Sequence, residues 1–311
     1  MTNLSLQETL NYYQSTYQIV KKLENAVIQK GFQLIAPSFL ENYNRFSGTN
    51  RKINQTQMVK LIDSEGNIKV LRPDVTTAII NRLMPKWDNG RSSKVFYNET
   101  VFLNTKQGIE EQKQFGVEYL GDADDAVDIE VINLVIELFN TYTLDYQIEV
   151  SDASLLKALF DSTCLDDAQL ETLKSIIYHK NTFALKQFIE QYLQAYPYKP
   201  FISALFEFQG SYEKIRAQLN NLSLPKGVKE CFDHLKIYSD KVQSNKITFD
   251  LSMLSELDYY HGVIFKGYLQ NIPYTVLNGG RYNTASMGYK KNISAMGFSL
   301  LLDVFTKEVL K

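Results

Sequence analysis

The chain of 311 residues holds few cysteines, only Cys164 and Cys231, and they stand in unrelated surroundings. A disulfide framework is therefore not expected, and both thiols should be reduced and buried. Long apolar runs are missing as well. The stretch Ser299 to Phe305 falls well short of the roughly 18 residues a membrane span needs, and Met1 to Ser5 lacks a basic region followed by an apolar one. No membrane partner is expected, and the default location is the cytoplasm. Excess positive charge is absent too: 33 basic residues stand against 35 acidic ones, for a net charge of -2. With no long basic run, the general attraction to phosphate backbones that marks nucleic-acid binders is excluded. Histidine is scarce, and His179, His234 and His261 show no metal-ligand spacing.

What is present is a hydrophobic content of 44%, enough to bury a substantial core in one large domain with an insertion or in two modest domains. Ser5-Leu6-Gln7-Glu8 reads as a capping box opening a long helix. Leu10, Tyr13, Tyr17, Val20, Leu23 and Val27 follow at helical steps and are expected to form one buried stripe, with Gly31 as the C-terminal cap. Gly31 to Pro37 then reads as a helix running into a short strand. Alternation places further strands at Gln57 to Asp63, Ile68 to Leu71, Ser93 to Leu103 and Gln114 to Tyr119, with a turn at Asp63 to Asn67. Short connections imply antiparallel pairing. Acidic residues crowd the start of a helix expected over Asp122 to Leu144, and Gln147 to Ser151 reads as a strand.

From Ala153 to about Ser244 the pattern is helical, in stretches such as Ala153 to Phe160, Asp167 to His179, Thr182 to Tyr192 and Lys226 to Lys241. Strand patterns return at Ile247 to Met253, Val263 to Leu269 and Tyr274 to Leu277, and a helix over roughly Leu300 to Leu310 closes the chain. The expected organisation is a core formed by residues 1–152 and 245–311, interrupted by a helical insertion at residues 153–244.

The words that carry chemistry are spread over most of the chain outside the helical stretch. They are Leu71-Arg72-Pro73-Asp74-Val75-Thr76-Thr77-Ala78, Gln114-Phe115-Gly116-Val117-Glu118-Tyr119-Leu120-Gly121, Glu256-Leu257-Asp258-Tyr259-Tyr260-His261-Gly262, Gly279-Gly280-Arg281-Tyr282-Asn283 and Met296 to Val304. The spacing of Gln114 and Glu118 puts both on one face of a strand. Alone, each word has an ordinary reading: paired strand tyrosines, a surface arginine beside a turn, a tight Gly-Gly turn. In their joint order and spacing they resemble the histidyl-tRNA synthetase family, whose corresponding words include Arg-Pro-Glu-Gly-Thr, Arg-Gly-Leu-Asp-Tyr-Tyr and Gly-Gly-Arg-Tyr-Asp. The resemblance implies an α+β fold of the class II aminoacyl-tRNA synthetase type, a largely antiparallel sheet flanked by helices, with a dimer interface near the first helix.

Departures from the family pattern fall on arginines. Leu103, Ser255 and Val304 stand where the family places the residues that grip phosphate, carboxylate and ATP. Losing a single preorganised donor to transition-state charge commonly costs about 100- to 1000-fold in rate, so joint loss of all these donors is incompatible with a working synthetase. The groups expected to hold histidine remain. By resemblance Asp74, Thr76 and Gln114 face the amino group, Glu118 and Tyr260 address the imidazole and Tyr282 packs nearby, with Arg72 and Tyr259 as possible supports. Asp74 is one methylene shorter than the family's glutamate.

A retained histidine pocket with dismantled activation machinery resembles the synthetase-derived regulatory subunits of ATP phosphoribosyltransferase. That resemblance implies a non-catalytic chain, without cofactor or metal, that binds histidine as effector and controls a short-form catalytic subunit. It further implies a homodimer building block within a hetero-octamer, and no anticodon-binding domain after the last motif. The alternatives are a truncated synthetase paralogue that activates an amino acid with ATP, and a free-standing histidine-binding module.

Overall fold

The computed structural model describes residues 5–49, 55–88, 90–121, 124–242, 244–254, 260–285, 287–289 and 291–311. The chain opens with α1 (Leu6–Gln29), β1 (Gln33–Leu34), β2 (Leu40–Asn42) and α2 (Tyr43–Thr49). Next come β3 (Lys60–Ile62), β4 (Ile68–Leu71) and α3 (Val75–Leu83), then the long hairpin β5 (Ser93–Thr105) and β6 (Gly108–Leu120). After α4 (Asp125–Asn140) and β7 (Tyr146–Asp152) the helical stretch runs through α5 (Ala153–Asp161), α6 (Asp167–Tyr178), α7 (Thr182–Tyr192) and α8 (Lys199–Ser203). It continues with β8 (Gln209–Gly210), α9 (Tyr212–Leu219) and α10 (Lys226–Lys241). The chain closes with β9 (Ile247–Asp250), β10 (Tyr260–Leu269), β11 (Leu277–Asn283), β12 (Ser294–Leu301) and α11 (Leu302–Val309).

Among the described residues a nine-stranded sheet has the order β1-β5-β6-β12-β11-β10-β7-β9-β8, and a three-stranded sheet has the order β2-β4-β3. In the large sheet β1 pairs parallel with β5 and β7 parallel with β9; the other pairings are antiparallel. The helical stretch thus leaves the sheet after β7 and returns beside it in β9. Its buried Leu185, Phe201, Ile215 and Leu235 belong to the same continuous hydrophobic cluster as Val150 and Phe265 of the sheet. Among the described residues no helix is long and apolar enough to cross a membrane.

Local rules explain the helix ends. Ser5 and Glu8 close the capping box, with the Ser5 N–H donating to Glu8 Oε2 at 2.8 Å. At the other end of α1, Gly31 sits at φ +86°, its N–H donates to Ile28 O at 2.9 Å and the Phe32 N–H donates to Val27 O at 3.1 Å, a Schellman closure.

Several expectations need correction. The stripe on α1 is not buried throughout: Ile19, Leu23 and Val27 are in the core, whereas Leu10, Tyr13 and Tyr17 are 54%, 61% and 57% exposed. Only the C-terminal part of α1 reaches the layer built by α4 and α11. The strand expected at Tyr274 begins only at Leu277 and runs through Gly279 and Gly280, which lie within β11 rather than in a turn. β6 begins at Gly108, because hairpin pairing with β5 continues past the buried part into a polar tip that shows no apolar alternation. Ser294 to Leu301 is a strand, so the last helix starts at Leu302. The helix α3 was hidden by its β-branched start, Val75-Thr76-Thr77, which lowers helix propensity. Residue 122, the expected start of the helix now seen as α4, lies outside the described residues, and α4 is capped by Asp124. Cys164, expected to be buried, is exposed on the loop after α5, where connections run over the surface; Cys231 is partly covered, and both thiols are free.

Candidate functional site

Successive residues of a strand point to opposite faces, and this alternation separates core from site. On β6, Phe115 and Val117 join the main hydrophobic cluster, while Gln114 and Glu118 face the other way. On β12, Met296 and Leu300 face the helices, while Gly297 and Ser299 line the opposite side. That opposite side holds a cavity of about 650 Å³. Asp74, Thr76, Gln114, Glu118, Tyr260 and Tyr282 all line it, so the structure brings together every residue expected to contact the ligand.

Glu118 is the centre of the arrangement. It is 2% exposed, accepts from Thr76 Oγ1 at 2.5 Å on one oxygen and accepts from Tyr282 Oη at 2.8 Å on the other. Burial pushes its carboxyl up to about 8, against the opposing pull of those hydroxyl donors, and the neighbouring Asp74 adds to the rise. Tyr260 meets Tyr282 edge to face, with ring centroids 6.4 Å apart. Asp74 caps α3, its Oδ2 accepting from the Thr77 N–H at 2.7 Å, and burial raises its carboxyl above the usual range. Gln114 donates to Gln112 Oε1 at 2.9 Å, and both amides line the cavity.

Glycine makes room for these groups. A Cβ on Gly297 would lie 2.2 Å from Glu118 Oε2, and one on Gly280 would lie 2.9 Å from the Tyr260 ring. The Glu118 carboxylate therefore lies across a strand that has no side chain at that point. Burial of the opposite face by Met296 and Phe298 keeps that strand in place.

The possible supports behave differently. Arg72 is fully buried but is not among the cavity-lining residues. Its Nε donates to Thr100 O at 2.9 Å, its Nη1 donates to Pro37 O at 2.7 Å and its Nη2 forms a close ion pair with Glu99. It pins the backbone just ahead of Asp74 and so acts on the site through position. Tyr259 and Ser255 lie outside the described residues. Leu103 lines the cavity, whereas Val304 sits on α11, partly buried against the main cluster. Lys266, Asn278 and Ser299 also line the cavity and were not singled out from the sequence; their signal was the same alternation, read along β10, β11 and β12.

Chemically, the cavity offers acidic and hydroxyl groups suited to a small molecule bearing an ammonium and a polar ring, and no arginine is among its described lining residues. A broad, largely antiparallel sheet with helices on one face and such a pocket on the other is a fold of the class II synthetase type. Residues 11–304 match the family described as histidyl-tRNA synthetase, and the chain belongs to that family. Its relatives include the ATP phosphoribosyltransferase regulatory subunit of Clostridium botulinum, 31% identical over 285 residues that cover 88% of this chain and 67% of the relative. The subunit of the same name from Caldanaerobacter subterraneus is 28% identical over 305 residues, covering 94% of this chain and 78% of the relative. Among solved structures, an ATP phosphoribosyltransferase regulatory subunit/histidyl-tRNA synthetase from Bacillus halodurans superposes with a TM-score of 0.83 at 22% identity, covering 96% of this chain and 80% of that one. A chain of the ATP phosphoribosyl transferase (HisG:HisZ) complex from Thermotoga maritima gives 0.69 at 18% identity, covering 92% and 97%. At these identities the structural likenesses speak for the fold.

Proposed function

We propose that this chain is a non-catalytic regulatory subunit of ATP phosphoribosyltransferase, binding histidine in the cavity over Glu118 and governing a separate, short catalytic chain in the first step of histidine biosynthesis. The observation that carries the histidine reading is Glu118, buried and held by Thr76 and Tyr282 beside Asp74, in a cavity without an arginine among its described lining residues. Acidic groups there suit the ammonium and imidazole of histidine, whereas the family's adenylate chemistry uses several arginines and the described lining offers Lys266 as its one cation. The regulatory role is supported by relatives that carry that name along most of this chain. Cytoplasmic location fits a biosynthetic role. Homodimers, and from them a hetero-octamer with catalytic chains, fit the exposed apolar residues Leu6, Leu10, Tyr13 and Tyr17 on α1.

Calorimetry tests the ligand: histidine should bind, and Glu118→Ala should weaken it about 10- to 150-fold, the loss of a buried hydrogen bond to a charged group of the ligand. Mixing the chain with a short catalytic phosphoribosyltransferase tests the role. Phosphoribosyl-ATP formation should rise with this chain present and become histidine-sensitive, with inhibition relieved by Glu118→Ala. Because coupling is reciprocal for binding, a substrate that opposes histidine must itself bind less well in its presence. Robust histidine-dependent pyrophosphate exchange with ATP would instead establish a synthetase paralogue.

A further inference from the structure

The acidic groups of the cavity account for the cationic end of an amino acid but leave its carboxylate without a partner. Lys266 is the one cationic side chain among the described residues that line the cavity. It lies in the middle of β10, paired in register with Asn278 of β11, which is paired in turn with Ser299 of β12. All of these line the cavity, so an ammonium, an amide and a hydroxyl form a row of donors across neighbouring strands. The Glu118 row runs beside it: Glu118 pairs with Gly297, Gly297 with Gly280 and Gly280 with Ile264. Lys266 is thus three strands from Glu118, at ~4.8 Å per strand, and two residues further along, at ~3.4 Å per residue. Lys266 and Glu118 therefore stand toward opposite ends of the cavity floor, with Asn278 and Ser299 on the strands between them.

The charge of Lys266 is not fully spent within the protein. Its side chain attracts the Glu149 carboxyl, which stands opposite it in register on β7. Glu149 is shared with Tyr268, whose hydroxyl donates to it, and with Lys180, so Lys266 is not its sole partner.

We propose that Lys266, with Asn278 and Ser299, forms the carboxylate subsite of the cavity, replacing in function an arginine clamp and selecting α-amino acids over the corresponding amines. This rests on the reading of the cavity as a histidine site. The test uses L-histidine and histamine, which differ by the carboxylate, titrated calorimetrically into the full chain and into Lys266→Met and Lys266→Arg variants, with thermal melts to establish that each is folded. Lys266→Met should weaken histidine about 10- to 100-fold, as for a lost charge-assisted contact, and leave histamine within about twofold; Lys266→Arg should retain histidine binding. Histidine bound equally well by folded Lys266→Met, or histidine and histamine weakened in the same ratio, overturns the subsite while the histidine reading stands. A native chain that binds neither ligand overturns both.

Discussion

The two faces of the nine-stranded sheet are made from alternate residues of the same strands, yet they are organised by opposite rules. On the helix-covered face Phe115, Val117, Met296 and Leu300 interdigitate at exposures of 0%, so the energy there is close packing. On the cavity face the strands carry Gln114, Glu118, Ser299 and Lys266 with glycines between them, and space has been left for a ligand. The first face holds the strand register, and the register decides which groups meet across the second. Stability and recognition are therefore separable by substituting residues that are neighbours in sequence.

The largest expected effect is on the packed face. Phe115→Ala should lower the unfolding free energy by about 3 to 5 kcal/mol, the usual cost of removing a buried aromatic side chain, read from urea denaturation. A loss below 1 kcal/mol would break the comparison. Arg72→Ala should cost about 3 kcal/mol by leaving Glu99 and the carbonyls of Pro37 and Thr100 without their donor. Its histidine affinity, measured where the variant is folded, should fall much less than that of Glu118→Ala, because Arg72 only positions the chain beside Asp74.

Glu118 sharpens the contrast because the site face should work against stability. Its carboxyl is raised from an ordinary 4.5 to about 8 in the folded chain. The native state then holds a proton that the unfolded state has released, so the contribution is fully present below about pH 4.5 and is lost as pH rises through about 8. Stability of the native chain should fall by a few kcal/mol across that window, and Glu118→Gln should flatten the profile while weakening histidine. An unchanged pH profile in the variant would show that Glu118 is not the titrating group.

The smallest expected effect lies at His234 on α10, which contacts Asp125 at 3.1 Å and stands near Asp152, the residues at the start of α4 and α5. Hydrogen bonding to Asp152, then to Asp125, lifts its imidazole from 6.5 to about 9 despite partial burial. The stabilisation is present below about pH 6.5 and lost as pH rises through about 9. His234→Gln should therefore lower the unfolding free energy slightly at pH 6, by at most about 0.5 kcal/mol for so exposed a pair, and have no effect at pH 10. An equal loss at both values would assign His234 a packing role instead.

Much of this was legible without coordinates. Helix caps such as Ser5 with Glu8, and the pairing of Gln114 with Glu118 on one strand face, depend on residues a few positions apart. Their geometry follows from helical and strand periods alone. The words around Asp74, Glu118 and Tyr282 marked the cavity through family spacing, and those residues do meet. Other features resisted the same reading. Gly279-Gly280 looks like a turn locally but is strand, because the demand for glycine comes from Phe265, Gly297 and Tyr260 packed against it. Val75 to Leu83 is a helix despite its β-branched start, since Asp74 caps it and its apolar side is buried.

What the sequence determined by itself was the set of elements with strong periods, the α+β class and the list of residues able to bind a small amino acid, because these follow from local propensity and from the chemistry of individual side chains. Only the tertiary structure decided which of those residues share a wall. It sent Arg72 inward to the backbone of Pro37 and Thr100, left the first turns of α1 uncovered and brought Lys266 into the cavity. Such outcomes depend on which strands become neighbours and in what register, and that is fixed by burial summed over the whole sheet rather than by any short stretch of chain.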